Sequence, residues 1–256
     1  MDEPTIPFGE PELWRVSAFQ RAMSELAAMP DPASGLGTRL SSLSPSLLAD
    51  LQRFEHTPHG AEVLEVMAAC LRHSQNVAIH LDREGFVVPV TVFPRERLFH
   101  SPLPMASLLE PSMANLRLLQ VEPAVLKPPG HKHSELVGAA HMYHPLGTLL
   151  WLLALYGPRR ELLPEIAGPA VYRVAPGLDL RNLEISGALA SAIARLRREA
   201  VPLRALADWP GLDMERASRL LNALYLQSGL MISRTHPAAL SGGWLASLTR
   251  GRREEG

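Results

Sequence analysis

The sequence predicts an α+β protein, a small antiparallel sheet packed on helices followed by a mostly helical block. Three observations carry that prediction. The stretch NVAIHLDREGFVVPVTVF alternates β-branched residues about a Gly-containing turn, the pattern of a β-hairpin. Apolar residues at helical spacing precede it, and beyond residue 183 the helical period returns with little strand signal. With 46% apolar and 20% charged residues over 256 positions, the chain can bury a real core, in one large domain or two modest ones.

The organisation follows from composition. Residues 1–40 hold an acidic, Pro-rich tail, an amphipathic helix and a linker; 41–182 form the α+β domain; 183–240 form the helical domain; 241–256 are a tail. The first helix starts near Pro11 and places Leu13, Val16, Phe19, Met23 and Leu26 on one face. PDPASGLGTRLSS reads as linker. Ser44 before Pro45 is an N-cap with proline at the first helical position, opening a helix to about His56. Thr57–Pro58 repeats that signature and starts a helix with Val63, Val66, Met67 and Cys70 turned inward.

The hairpin 76–93 comes next, and Pro89, lacking an N–H, belongs at an edge or bulge. Further strands are expected in RERLFHS, NLRLLQVEPAVL and AVYRV, and helices over 134–157 and 160–167. No repeat of 20–50 residues is present. Residues 136–157 carry no Asp, Glu, Lys or Arg, yet Pro145, Gly147 and two histidines interrupt the run. A core helix over the apolar 149–156 fits better than a membrane span.

After NLEISGALASAIARLRREA, read as helical, a short helix (PLRALADW), a turn (PGLD), a longer helix (MERASRLLNALYLQSG) and a strand (LMISRT) follow, with Gly229 capping the longer helix. The phrase is set by Leu206, Ala207, Gly211, Leu212, Leu221, Leu224, Gly229, Leu230 and Ile232. It resembles the winged-helix module over about 183–238, under a quarter of the chain. The resemblance implies a helix–helix–turn–helix–strand fold and a surface that binds DNA, RNA or protein.

Charge argues which. The whole chain has a formal net charge of −1, which draws neither nucleic acid nor anionic lipid in bulk. Residues 183–256 hold ten arginines against seven acids, and the 182 residues before them carry −4. Arg216, Arg219 and Asn222 on the outward face of the longer helix, with Arg234 after it, are the candidates for binding a partner or DNA. Asp213 and Glu215 beside them would repel phosphates at the helix start.

Four of the ten histidines, His131, His133, His141 and His144, fall within fourteen positions. A loop pair and a pair on one helical face could converge with Glu135 on a metal, but the spacing matches no known site. Hydrogen bonding of His141 and His144 at a helix break, with the loop pair in solvent, is the preferred reading, and no cofactor is expected. The lone Cys70 sits on an apolar face three residues from His73, the position of an inert buried thiol. No GxxxxGK[ST], GxGxxG, GxSxG or HExxH occurs. The expectation is a cytoplasmic, non-enzymatic, bacterial-type regulatory or adaptor protein that docks a protein partner, with homodimerisation left open. A DNA-binding transcriptional regulator with an N-terminal sensing domain and a His-coordinated metalloenzyme are the alternatives.

Overall fold

A computed structural model describes residues 13–28, 43–56, 62–109 and 113–235, the side chains of 26 and 27 excepted. The N-terminal tail, the linker, Thr57–Pro58 and the C-terminal tail with Arg250, Arg252 and Arg253 lie outside the described residues, as does the side chain of Leu26. The chain is α+β and divides into two compact units, Met1–Leu146 and Gly147–Gly256.

The first unit is built on five antiparallel strands in the order β4-β1-β2-β3-β5: β1 (Val77–Arg83), β2 (Phe86–Phe93), β3 (Leu98–His100), β4 (Arg117–Pro123) and β5 (Tyr143–Pro145). The turn between β1 and β2 is two residues long, Glu84 at φ +54° and Gly85 at φ +84°, with the Gly85 N–H donated to Asp82. Two successive positive φ angles make a turn whose twist matches the flanking strands. The register it sets pairs Ile79 with Val90 and Leu81 with Val88, all buried, on one face. His80 faces Pro89 on the other. β3 pairs only Thr91–Phe93 of β2, so Pro89 stands on a stretch with one neighbouring strand, where its missing N–H costs no ladder bond.

Among the described residues this unit also has three longer α-helices and a short one: α1 (Val16–Ala28), α2 (Pro45–Glu55), α3 (Val63–His73) and α4 (Met105–Leu109). Ser44 caps α2, its Oγ accepting the Leu47 N–H, with Pro45 in the first helical position. α3 buries all of Val63–Cys70. α1 is steered by backbone bonds from Val87 N–H to Trp14 O and from Val16 N–H to Gly85 O.

The 134–157 segment departs from the expected single helix. Two 3-10 turns, Ser134–Leu136 and Ala140–Met142, lead into β5, and helix α5 (Leu146–Tyr156) begins only there. Pairing of Tyr143–Pro145 with Leu98–His100 gives these residues a sheet partner that helix formation would forfeit. No described helix is long and apolar enough to cross a membrane.

The second unit contains α5 from Gly147 onward, β6 (Val171–Val174), α6 (Gly187–Leu196), β7 (Val201–Pro202), α7 (Leu203–Ala207), α8 (Met214–Leu226) and β8 (Leu230–Ser233). Residues 160–167 form turns, not the expected helix. The three strands run antiparallel in the order β7-β6-β8. Because β6 is central to that sheet, residues 147–182 belong with the C-terminal elements, and the division falls at 146/147 where composition had suggested 182/183. The Pro210–Gly211 turn between α7 and α8 closes through Leu212 N–H to Trp209 O, with Gly211 at φ +77°. The left-handed residue ending α8 is Ser228, at φ +58°, not Gly229. Gly229 instead admits Leu178: a Cβ there would stand 2.2 Å from Leu178 Cδ2.

Leu153 is 1% exposed on α5 while Leu152 is half-buried. Leu153→Ala should cost about 2–5 kcal/mol in denaturant unfolding, and Leu152→Ala less. Equal costs at the two positions would contradict this packing of α5.

Candidate functional site

Four places in the two units gather polar chemistry. The first is the histidine-rich segment. His131 and His133 lie in an exposed loop with ring centroids 5.5 Å apart, and His133 Nδ1 stands 3.2 Å from Glu135 Oε1. His144 belongs to β5, not to a helical face shared with His141, and its ring lies 5.3 Å from Phe99. The strand pairing brings it instead towards His100, whose ring meets Tyr143 edge-on at 5.0 Å. Tyr143 ties the cluster down, donating to Lys127 O at 2.6 Å and accepting the Gly138 N–H at 2.9 Å. Gly138 is required here, since a Cβ would come within 2.7 Å of His100 Nε2. Among the described residues no group of three or more His, Cys, Asp or Glu side chains is placed to hold a metal.

Burial lowers the pKa of both histidines, with repulsion from His144 adding to the effect at His100, and from His141 at His144. His144 Nε2 has no hydrogen-bond partner. Cys70 is fully buried and its thiol is pushed up to about 12, so it is no nucleophile at neutral pH.

The second place joins α2 to α3. Asp50 Oδ2 lies 2.7 Å from both His73 Nε2 and Arg72 Nη2, and Ser46 Oγ lies 3.2 Å from His73 Nδ1. A carboxylate only accepts, so His73 Nε2–H donates to Asp50, and in the neutral ring Nδ1 is left to accept from Ser46. The order Ser–His–Asp is that of a hydrolase relay, but two arginines alter it. Arg53 also reaches Asp50, at 3.0 Å, so the carboxylate is shared among three donors and is not reserved for the imidazole. Burial alone would raise the Asp50 pKa, yet the His73 and Arg72 hydrogen bonds and the arginine charges bring it below its ordinary value. The adjacent groove, about 600 Å³, is lined by Ser44, His73, Gln75, Arg95 and Lys127, and Ser46 lies outside its wall. The arrangement serves as a polar clamp between the two helices.

The third place lies under α1. His80 projects from the second face of β1, with Pro89 opposite on β2 and the Phe19 ring 5.0 Å away. A bulge in β4 skips Leu119 beside His80 and brings Glu122 onto the same face, its Oε1 3.6 Å from His80 Nδ1. That distance is too long for a hydrogen bond, and Nδ1 is buried without one. Burial lowers the His80 pKa against the opposing pull of Glu122. A cavity of about 350 Å³ opens here. Neither His80 nor His100 was singled out by the sequence, where the only signal was a polar residue inside a period-2 strand.

The fourth is α8, where the sequence placed its binding candidates. Asn222, expected on the outward face, is fully buried: its Oδ1 accepts the Leu163 N–H at 2.9 Å and its Nδ2 donates to Glu161 O at 2.8 Å. Arg219 donates to Gly157 O at 2.9 Å and to Glu215. Arg234 donates to Ala167 O and Glu165 O, and Arg216 to Gly211 O. Ser218, one residue before Arg219, is buried and donates to Met214 O. The four candidates therefore do not form one face, and each holds backbone of its own unit.

Two tests follow. Asn222→Ala leaves the buried Leu163 N–H without its acceptor and should cost about 1–3 kcal/mol, read by denaturant unfolding. Because His80, His100 and His144 have lowered pKa values when folded, the unfolded chain takes up more protons below the ordinary value of 6.5. Stability should therefore fall as pH drops through that value and level off below the folded pKa values. His100→Phe should flatten part of the slope; an unchanged slope in the folded variant would refute it.

No family model, no curated protein and no solved structure matches the chain.

Proposed function

We propose that the chain is a non-enzymatic regulatory or adaptor protein that docks a protein partner through its C-terminal unit. The order α6, β7, α7, α8, β8 supports a winged-helix-like reading of that unit. The observation that carries the choice of partner is the burial of α8. Ala217, Ser218, Leu220–Leu224 and Leu226 are all buried, so the helix that would read a major groove offers no continuous polar face. Its arginines are directed at carbonyls of the same unit, which leaves few cations for phosphates.

Beside the exposed Asp213 and Arg216, two apolar side chains also reach solvent. Met214 at the start of α8 and Met231 on β8 are each about half exposed. Among the described residues β8 pairs on one side only, with β6, so its other edge can accept a strand from a partner. A cytoplasmic setting accords with this reading.

The test uses the full chain. Titration against mixed-sequence duplex at low and moderate salt should show no salt-dependent binding. A photo-crosslinking residue at Met231 should give a discrete adduct in host cells that the same residue at Val125, exposed in the first unit, does not. Sub-micromolar duplex binding that steepens as salt falls and collapses in Arg216→Ala/Arg219→Ala would overturn the proposal in favour of a transcriptional regulator.

A further inference from the structure

We propose that the cavity under α1 is a binding site for a neutral, planar, aromatic small molecule carrying one hydrogen-bond donor, of the phenol or indole class. The proposal is independent of the docking reading, because it concerns the first unit alone.

The cavity follows from the register of the hairpin. Val87 and Pro89 project from β2 on the face that carries His80 from β1, and α1 covers that face with Phe19. Leu13 and Trp14, on the lead into α1, close another side, held there by the backbone bond from Val87 N–H to Trp14 O. The volume of about 350 Å³ lies within the range of small-molecule sites, which are mostly apolar with a few placed polar groups. The walls favour flat ligands, because Trp14, Phe19, Pro89 and Pro102 supply flat apolar rings to the lining. Trp14, 58% exposed, sits at the rim.

His80 sets the ligand's polarity. Among the described residues none hydrogen-bonds its Nδ1 or its Nε2. Burial disfavours the charged ring, and in the neutral ring one nitrogen carries hydrogen and the other is an acceptor. With Glu122 Oε1 nearest to Nδ1, the proton is favoured on that side, which leaves Nε2 to accept. A ligand O–H or N–H satisfies it. The Glu122 carboxylate on the same face disfavours an anionic ligand.

The probes are 2-naphthol, which has the donor, and naphthalene, which has the same rings without it. The full chain is titrated with each, following Trp fluorescence and equilibrium dialysis. The expected result is saturable one-to-one binding of 2-naphthol, with naphthalene about tenfold weaker. Leu13→Trp, which fills the cavity without altering a strand, should abolish both, its fold checked by circular dichroism. His80→Leu should erase the preference while naphthalene still binds. Absence of saturable binding by the wild type, or binding indifferent to Leu13→Trp in a folded variant, overturns the site. Equal affinity for the two probes overturns the ligand class. Binding that appears only after residues 1–12 are removed assigns the cavity to the chain's own N-terminal segment and overturns the small-molecule reading.

Discussion

Between β1 and β2 the two-residue turn Glu84–Gly85 leaves the strands no freedom of register, and the first unit inherits its geometry from that turn. Strand side chains alternate, so a slip of one residue would carry Val77, Ile79 and Leu81 to the α1 face and bring Ala78, His80 and Asp82 into the core. The cost of such a slip is large: three apolar side chains that are at most 1% exposed would leave their packing, and a histidine and a carboxylate would replace them. With the register fixed, the remaining parts take defined places. β4 adds to β1 with a bulge beside His80, and the lead into α1 bonds to the side of β2 that β3 leaves uncovered. The cavity is the space those constraints leave.

In the second unit the comparable role falls to side chains of α8. Helix α5 ends with carbonyls that lack intrahelical partners, and Arg219 reaches the carbonyl of Gly157 just past that end, with Ala154 O at the edge of hydrogen-bond range. A cation at a helix C-terminus also meets the negative end of the dipole, so the contact is favourable twice over. One helical turn along α8, Asn222 takes the next irregular stretch, accepting from Leu163 and donating to Glu161. The segment 157–163 has little secondary structure of its own, and these bonds satisfy backbone groups that burial would otherwise leave costly. This explains why groups chemically suited to reading bases are engaged inside the unit.

Local signals in the sequence proved readable where the physics is local. Ser44–Pro45 needed only the neighbouring backbone to act as a cap, and Glu84–Gly85 only its own φ angles. Pro89 was placed at an uncovered stretch because a missing N–H is a property of one residue. The misread parts depended on partners distant in sequence. An apolar run over 134–157 has no internal reason to stop being helical, but β3 pairs with Tyr143–Pro145 and takes the first half out of the helix. Asn222 looks outward on a helical wheel; only the nearly all-round burial of α8 and the carbonyl at Glu161 make it a core residue. Nothing in the segment 171–174 tells that it will stand between β7 and β8.

The candidate site was the least legible part, and the reason is physical. The pairing of His80 with Pro89 beside a bulge sets three unusual features together: a titratable ring under a helix, a residue without an N–H and a skipped ladder residue. Each feature alone reads as tolerance at a sheet edge. Together they make a surface that the described residues do not fill, beneath a helix held over it by two backbone bonds. Sequences that fold well agree with their structure at every level, so a cluster of disagreements at one place points to a demand other than folding. Ligand recognition is such a demand: a ring with an unanswered nitrogen beside two proline rings is of little use to the fold and suits an aromatic guest. That conflict, more than the size of the cavity, sets this face apart from the polar groove beside α2 and α3, where Ser44 and Gln75 already bond to each other across the wall.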